Sequence, residues 1–144
     1  MTRNIEFFVE DIQFEIAKDR YTQWLSTILT KEYQYKSYEI NYIFCSDEYL
    51  HTLNVDYLNH DTYTDIITFP LEVTEHHIRT DIFISIPRIR ENAALYNQSE
   101  SDELLRVMAH GLLHLFDMND KTEAEKAAMR EAESKLISLF HQLW

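Results

Sequence analysis

The chain has 144 residues and a net charge of −12, since 25 acidic residues outnumber 13 basic ones, and 45% of its residues are hydrophobic. This composition predicts one folded domain over residues 1–144 and excludes a disordered chain. The single glycine and the single cysteine, Cys45, exclude glycine-rich phosphate loops, a disulfide framework and cysteine-based metal sites.

The first 45 residues predict a strand, a helix and a second strand. Ile5, Phe7 and Val9 alternate with acidic residues, which is typical of a half-buried strand. Apolar residues then recur with the spacing of an amphipathic helix. They are Tyr21, Trp24, Leu25, Ile28 and Leu29. Alternation resumes over residues 38–45 and predicts a second, mostly buried strand.

A short helix and a short strand are predicted next. Ser46 and Asp47 can cap a helix that runs toward Tyr57. The β-branched segment DIITF follows, and we expect Pro70 to stop this strand. Residues 71–79 are predicted as a loop or an irregular strand.

The segment DIFISI predicts a further strand, followed directly by a helix. Pro87 ends the strand, and proline suits the first turn of a helix. Apolar residues at helical spacing continue from there, and we expect the helix to end near Asn97. A strand therefore leads straight into a helix at this point.

Two more helices complete the chain. Ser99 or Ser101 can cap the first, which is apolar on nearly all sides and therefore expected to be central. The pattern T-x-x-E from Thr122 to Glu125 is a capping box that opens the second. The apolar face of this last helix comprises Met129, Ala132, Leu136, Leu139, Phe140 and Leu143. Interleaved strands and helices predict an α/β (α+β) fold with a mixed sheet of about four strands covered by about five helices.

The sequence contains no candidate membrane span. The longest stretches without an acidic or basic residue, at residues 21–30 and 107–116, have 10 residues, against about 20 for a span. The N-terminal segment MTRNIEFFVED mixes acidic with apolar residues, unlike a signal peptide. We therefore expect a cytoplasmic protein without a membrane partner. The negative charge disfavours broad nucleic-acid binding, because neutralised phosphates supply much of that affinity.

Two histidines lie four residues apart in the fourth predicted helix. Four residues turn about 400° and rise about 6 Å, so His110 and His114 project from one face. Two imidazoles can bind one metal ion at this spacing, although many such pairs simply pack or face solvent. Because rings within an apolar helix need polar partners, we interpret the pair as metal ligands.

A catalytic metal site with an open position needs a third protein ligand. Asp117 lies on the same helical stripe as the histidines, whereas Asp120 lies beyond the expected helix end, from where the chain can fold back. Gly111 and Leu112 stand where the zincin motif HExxH has its glutamate base. We therefore do not expect metalloprotease chemistry.

Three segments in the same order resemble the motifs of the YbeY endoribonucleases, the bacterial rRNA maturation factors. HGLLHLFDMNDKT resembles HGxLHLxGYDH, LNVDYLNHDTYTDIITFP resembles LNxxYRxKDxPTDVLSFP, and TDIFIS resembles GDIxIS. The resemblance covers about residues 50–136. It implies a metal-dependent single-strand endoribonuclease that acts in 16S rRNA 3′-end processing and ribosome quality control. The implied partners are rRNA and ribosomal subunits, not DNA.

The resemblance also implies one zinc ion per chain, held by His110, His114 and the residue at the family's third histidine, which is Asp120 here. A carboxylate oxygen can replace an imidazole nitrogen on zinc. The added negative charge makes a bound water less acidic and widens the range of metals toward manganese or iron. Asp117 replaces a family glycine, and aspartate tolerates left-handed backbone better than most residues. The sequence indicates neither the RNA target nor the oligomeric state.

No general base can be identified from the sequence, and Asp117 and His60 are the candidates, in that order. His60 stands at the family's lysine and can contact phosphate or relay a proton, or it is a loop histidine without a special role. Leu58 stands at an arginine to which the resemblance assigns catalytic importance. Two alternative functions therefore remain: a non-catalytic ribosome-assembly factor with a structural metal, and a metal hydrolase with a non-RNA substrate.

Several other polar residues have two interpretations each. Arg106 can pair with Glu103 or Asp102, or it can contact phosphate. The Thr64–Asp65 pair, which matches a family Thr-Asp, can cap the turn before its strand or hydrogen-bond a ligating histidine. A cleft for RNA can also be lined by basic residues of the following segment, namely Arg79, Arg88 and Arg90.

Overall fold

The computed structural model describes residues 2–143 and builds them into four strands and five α-helices. The strands are β1 (Arg3–Val9), β2 (Ser37–Cys45), β3 (Ile66–Val73) and β4 (His77–Ser85); the helices are α1 (Lys18–Thr27), α2 (Asp47–Leu58), α3 (Ile86–Leu95), α4 (Glu100–Leu115) and α5 (Glu123–Leu143). The sheet has the order β1-β2-β4-β3, with β3 antiparallel to β4 and the other pairs parallel. The mixed sheet and its helices confirm the predicted fold class. Within residues 2–143, no helix has both the length and the apolar character that crossing a bilayer requires.

Polar side chains determine where several helices begin. Ser46, Ser85 and Ser99 each accept a hydrogen bond from the backbone N–H three residues further along, at the starts of α2, α3 and α4. Thr122 and Glu125 exchange two hydrogen bonds of 2.9 and 3.1 Å at the start of α5, which is the predicted capping box. These caps place the N-termini of α4 and α5, the two helices that build the site described below.

Strand β3 does not stop at Pro70, so that prediction is wrong. The strand continues to Val73 and forms a hairpin with β4, which begins at His77. Because β3 is an edge strand, the missing N–H of proline is tolerated, and the register shifts between Pro70 and Glu72. Most of residues 71–79 therefore belong to paired strands.

Helix α4 lies against the sheet, and the chain's one glycine allows a close approach. A Cβ atom at Gly111 would stand 2.9 Å from Ile66 Cδ1 and 3.3 Å from Thr68 Oγ1, both on β3. From β2, the buried Tyr42 hydroxyl donates to the Met108 carbonyl at 3.2 Å. These contacts fix α4 on the sheet, while α5 packs against it from another side.

Candidate metal centre

The three predicted metal ligands converge at the C-terminal end of α4. The Nε2 atoms of His110 and His114 are 2.9 Å apart, and Asp120 Oδ2 lies 3.5 Å from the first and 3.6 Å from the second. Two ligand atoms bound about 2.1 Å from one ion at a tetrahedral angle stand about 3.4 Å apart. The donor set and its spacing therefore fit a single divalent ion.

Asp120 reaches the histidines because the chain reverses immediately after α4. Asp117 adopts a left-handed backbone with φ of 71°, and its N–H donates to the His114 carbonyl at 3.1 Å. The N–H of Met118 donates to the Leu113 carbonyl, also at 3.1 Å. These two bonds form a Schellman motif, in which the left-handed residue is most often glycine. Asp117 occupies the left-handed position of this motif, and the turn brings Asp120 back over α4.

A buried carboxylate on α5 contacts His110 on the side away from the other ligands. Glu133 Oε2 lies 2.7 Å from His110 Nδ1, and Glu133 Oε1 accepts a hydrogen bond from Arg106 Nη1 at 2.9 Å. The bond to Glu133 raises the pKa of His110 above its ordinary value, although partial burial opposes this effect. The sequence analysis did not identify Glu133. The sequence feature that could have identified it is its position, since Glu133 is the one charged residue on the otherwise apolar buried face of α5.

Arg106 pairs with α5 and not with the nearby acids of its own helix. Besides Glu133, it donates from Nη2 to Ser134 Oγ at 3.2 Å. Among the described residues, no hydrogen bond joins it to Asp102 or Glu103, and Asp102 instead pairs with His141 at 2.9 Å. The ion-pair interpretation therefore identified the right type of contact but the wrong partner.

A small cavity of about 150 Å³ lies beside His110 and is lined largely by charged side chains. Burial raises the pKa of Asp65 and of Glu103, two of the carboxyl groups that line it. Within residues 2–143, no hydrogen bond joins Asp65 to His110 or His114. The Asp65 carbonyl accepts a bond from the Ser85 N–H at 3.0 Å, so its backbone helps to join β3 to the end of β4.

The raised pKa of Glu103 predicts a pH-dependent effect of Glu103→Gln on stability. A carboxyl group whose pKa is higher in the folded state stabilises the fold below its ordinary pKa of 4.5, and this contribution is lost as the pH rises through the folded-state value. We expect the free energy of unfolding of Glu103→Gln to increase relative to that of wild type as the pH rises above 4.5, so that the variant becomes relatively more stable. Urea titrations of metal-free protein at several pH values measure this difference. Glu100→Gln, which replaces an exposed glutamate in the same helical turn, is the comparison variant, and a pH-independent difference for Glu103→Gln would contradict the prediction.

Within residues 2–143, the side chains of the two candidate general bases form no hydrogen bond or ion pair with the three ligands. The exposed Asp117 carboxylate makes no hydrogen bond or ion pair to them in the described part of the chain, although it belongs to the same turn as Asp120. His60 lies in the exposed segment after α2 and lines a groove of about 300 Å³ with Leu58 and Thr64. The structure thus brings together the predicted metal ligands, and a catalytic role for Asp117 or His60 stays a prediction.

The three arginines that were considered for an RNA cleft each face an acidic partner. Two of the pairs are long and exposed, at 3.7 and 3.8 Å, and the third is 2.7 Å and partly buried. The pairs are Arg79–Glu39, Arg88–Asp47 and Arg90–Glu100. These arginines therefore contribute little free positive charge for RNA phosphates.

The chain is similar to known proteins over nearly its whole length. The family profile described as "Endoribonuclease YbeY" matches residues 5–141. Two curated proteins named "Endoribonuclease YbeY" are 51% identical over 136 residues (Cytophaga hutchinsonii; 94% of each chain covered) and 45% identical over 135 residues (Flavobacterium johnsoniae; 93% of this chain and 96% of that protein). The solution structure of a Thermotoga maritima protein covers 98% of this chain and 91% of its own, with a TM-score of 0.65 and 23% identity. That last likeness shows a shared fold.

Proposed function

The chain belongs to the YbeY family of endoribonucleases, and on this basis we propose that it cleaves RNA with one divalent ion held by His110, His114 and Asp120. The observation that carries the metal assignment is the position of Asp120 Oδ2, 3.5 and 3.6 Å from the two histidine Nε2 atoms. A residue six positions after His114 returns to this point only because of the turn at Asp117. Endoribonuclease activity itself follows from family membership.

We propose zinc as the ion, since two imidazoles and one carboxylate form a common catalytic zinc set. A bound divalent ion would activate water or neutralise charge on a phosphoryl oxygen. The neutral rings of His110 and His114 leave the ion's charge intact, whereas the Asp120 carboxylate cancels one unit of it. The carboxylate oxygen, a harder ligand than an imidazole nitrogen, would also make manganese or iron acceptable.

We propose Asp117 as the proton acceptor in the reaction, with His60 as the alternative. Asp117 is exposed and shares a turn with the ligand Asp120, so substrate bound at the ion can approach its carboxylate. His60 lines the groove along β3, and Gly111 of α4 lies against the same strand. Within the described residues, neither side chain is held in a hydrogen bond to one of the three ligands.

We propose that the substrate is unpaired rRNA, at the 3′ end of 16S rRNA and in defective ribosomes. Unpaired strands are flexible and their bases can be splayed apart, which lets an enzyme reach the phosphodiester backbone between them. The net charge of −12 and the paired arginines supply little attraction for free RNA. This favours RNA presented by a ribosomal subunit, and we propose that the enzyme acts in the cytoplasm, where that substrate is found.

One observation favours an alternative, a non-catalytic assembly factor whose metal only stabilises the fold. Leu58, at the end of α2, is 42% exposed and occupies the position of the family's arginine, so no guanidinium is available there for phosphate. The other alternative, a metal hydrolase with a non-RNA substrate, has no support from the two relatives above, which are both named as endoribonucleases.

Cleavage in the presence and absence of a chelator tests the proposal. The substrate is single-stranded RNA with the 3′ end of 16S rRNA, and we expect cleavage to stop with EDTA and to return when zinc or manganese is added in excess. EDTA that is already saturated with zinc is the matched control and should not inhibit. Cleavage that continues in EDTA would contradict metal dependence. Metal-loaded protein that does not cleave would favour the assembly-factor alternative.

A further inference from the structure

Glu133 on α5 connects two residues of α4 through one carboxylate. Its Oε1 accepts a hydrogen bond from Arg106 at 2.9 Å, and its Oε2 lies 2.7 Å from His110 Nδ1. Only 7% of the Glu133 side chain is exposed, against 23% for Arg106 and 27% for His110. A carboxylate buried to this extent needs a partner for each of its oxygens, and these two residues supply them.

The bond to His110 has a chemical consequence that the bond to Arg106 lacks. An ionised carboxylate has no proton to donate, so the proton in the bond to His110 belongs to Nδ1. A neutral ring with its proton on Nδ1 has its lone pair on Nε2. Nε2 is the atom that lies 3.5 Å from Asp120 Oδ2 and 2.9 Å from the Nε2 of His114.

We propose that Glu133 is a positioning residue for the metal centre: it holds His110 in the tautomer and orientation in which Nε2 can bind the ion. This inference rests on the proposed function, because it requires an ion at His110. The opposite tautomer would direct an N–H into the site and block one of the three ligands. Arg106 pairs with the other oxygen, Oε1, and within the described residues it makes no hydrogen bond to His110.

The two histidines are unequal in this respect. The one side-chain hydrogen bond of His114 within residues 2–143 goes to His110 Nε2, and no carboxylate fixes its other ring nitrogen. Its side chain is 39% exposed, against 27% for His110. His110 is therefore the preorganised ligand, and losing Glu133 should affect metal binding through this residue alone.

Glu133→Gln separates the positioning role from a structural one when it is compared with Arg106→Gln. Both variants break the same buried ion pair, but only Glu133→Gln breaks the carboxylate bond to His110. Glutamine has one carbonyl oxygen; with Arg106 on that oxygen, the amide N–H group faces Nδ1 and favours the wrong tautomer. We expect Glu133→Gln to weaken zinc binding about 10- to 100-fold, and Arg106→Gln to leave it within about threefold of wild type.

Zinc affinity is measured on the full chain by competition with a chromophoric chelator, and circular dichroism verifies that each variant is folded. Wild-type affinity in Glu133→Gln, or equal losses in both variants, would overturn the inference and leave the metal site standing. A wild-type protein that binds no zinc would overturn the proposed metal centre and the inference with it. A second measurement needs no variant: nitrogen NMR of the zinc-loaded wild type should place the His110 proton on Nδ1. A proton on Nε2 would overturn the inference.

Discussion

Replacing either His110 or His114 with alanine is expected to abolish stoichiometric metal binding and to lower the rate of RNA cleavage at least about a thousandfold. Two remaining ligands hold an ion too weakly and in no defined position. A catalytic ion contributes several kcal/mol to transition-state stabilisation, and each 1.36 kcal/mol is a factor of ten in rate. Elemental analysis of the purified variants and single-turnover cleavage of single-stranded RNA measure the two effects.

His76→Ala is the matched control for these variants. His76 lies in the exposed turn between β3 and β4, and the one ion pair of its ring within residues 2–143 is with the neighbouring Glu75, at 4.0 Å. This variant should retain both metal and activity. Unchanged metal content in His110→Ala and His114→Ala would remove the ligand assignment, whereas loss of metal without loss of cleavage would show that the ion is structural.

Substitutions of Asp120 are expected to have the second large effect. Asp120→Ala should weaken metal binding more than about a hundredfold. This loss exceeds the loss of affinity that is typical when a residue that only hydrogen-bonds a metal ligand is replaced. Asp120→His, which introduces the residue of the family motif, should retain binding, because imidazole is an equally suitable ligand at this position. Metal affinity and cleavage rate are measured for both variants under the same conditions.

Asp117→Asn provides the control within the same turn. Asparagine tolerates the left-handed conformation, so the turn that places Asp120 is preserved while the charge at position 117 is removed. We expect normal metal content and, if Asp117 is the proton acceptor, a lower cleavage rate. Asp120→Ala protein that binds metal and cleaves as wild type does would show that Asp120 is not a ligand.

Features determined by neighbouring residues could be predicted from the sequence. The capping box at Thr122 and Glu125 depends on contacts across three residues, and the structure contains both of its hydrogen bonds. The helical spacing of His110 and His114 places both rings on one face of α4. The chain reversal after α4 could also be anticipated with Asp117 in place of glycine. Tolerance of a left-handed backbone is a property of the single residue, and aspartate has it.

Features that depend on packing between distant elements could not be predicted in the same way. Glu133 is 23 residues from His110, and only the packing of α5 on α4 brings them together. Arg106 has acidic neighbours on its own helix, so spacing alone suggested the wrong partner. Pro70 does not end its strand because β3 lies at the edge of the sheet, and strand order is not encoded in any local pattern.

Anomalous X-ray scattering from crystals of the zinc-loaded protein tests the proposed metal centre most directly. Data collected on both sides of the zinc absorption edge locate the ion without assuming its ligands. We expect one strong peak per chain, about 2.0 to 2.2 Å from His110 Nε2, His114 Nε2 and a carboxylate oxygen of Asp120. A peak at another position, or a metal-loaded structure in which the Asp120 carboxylate lies far from both rings, would contradict the proposed metal centre.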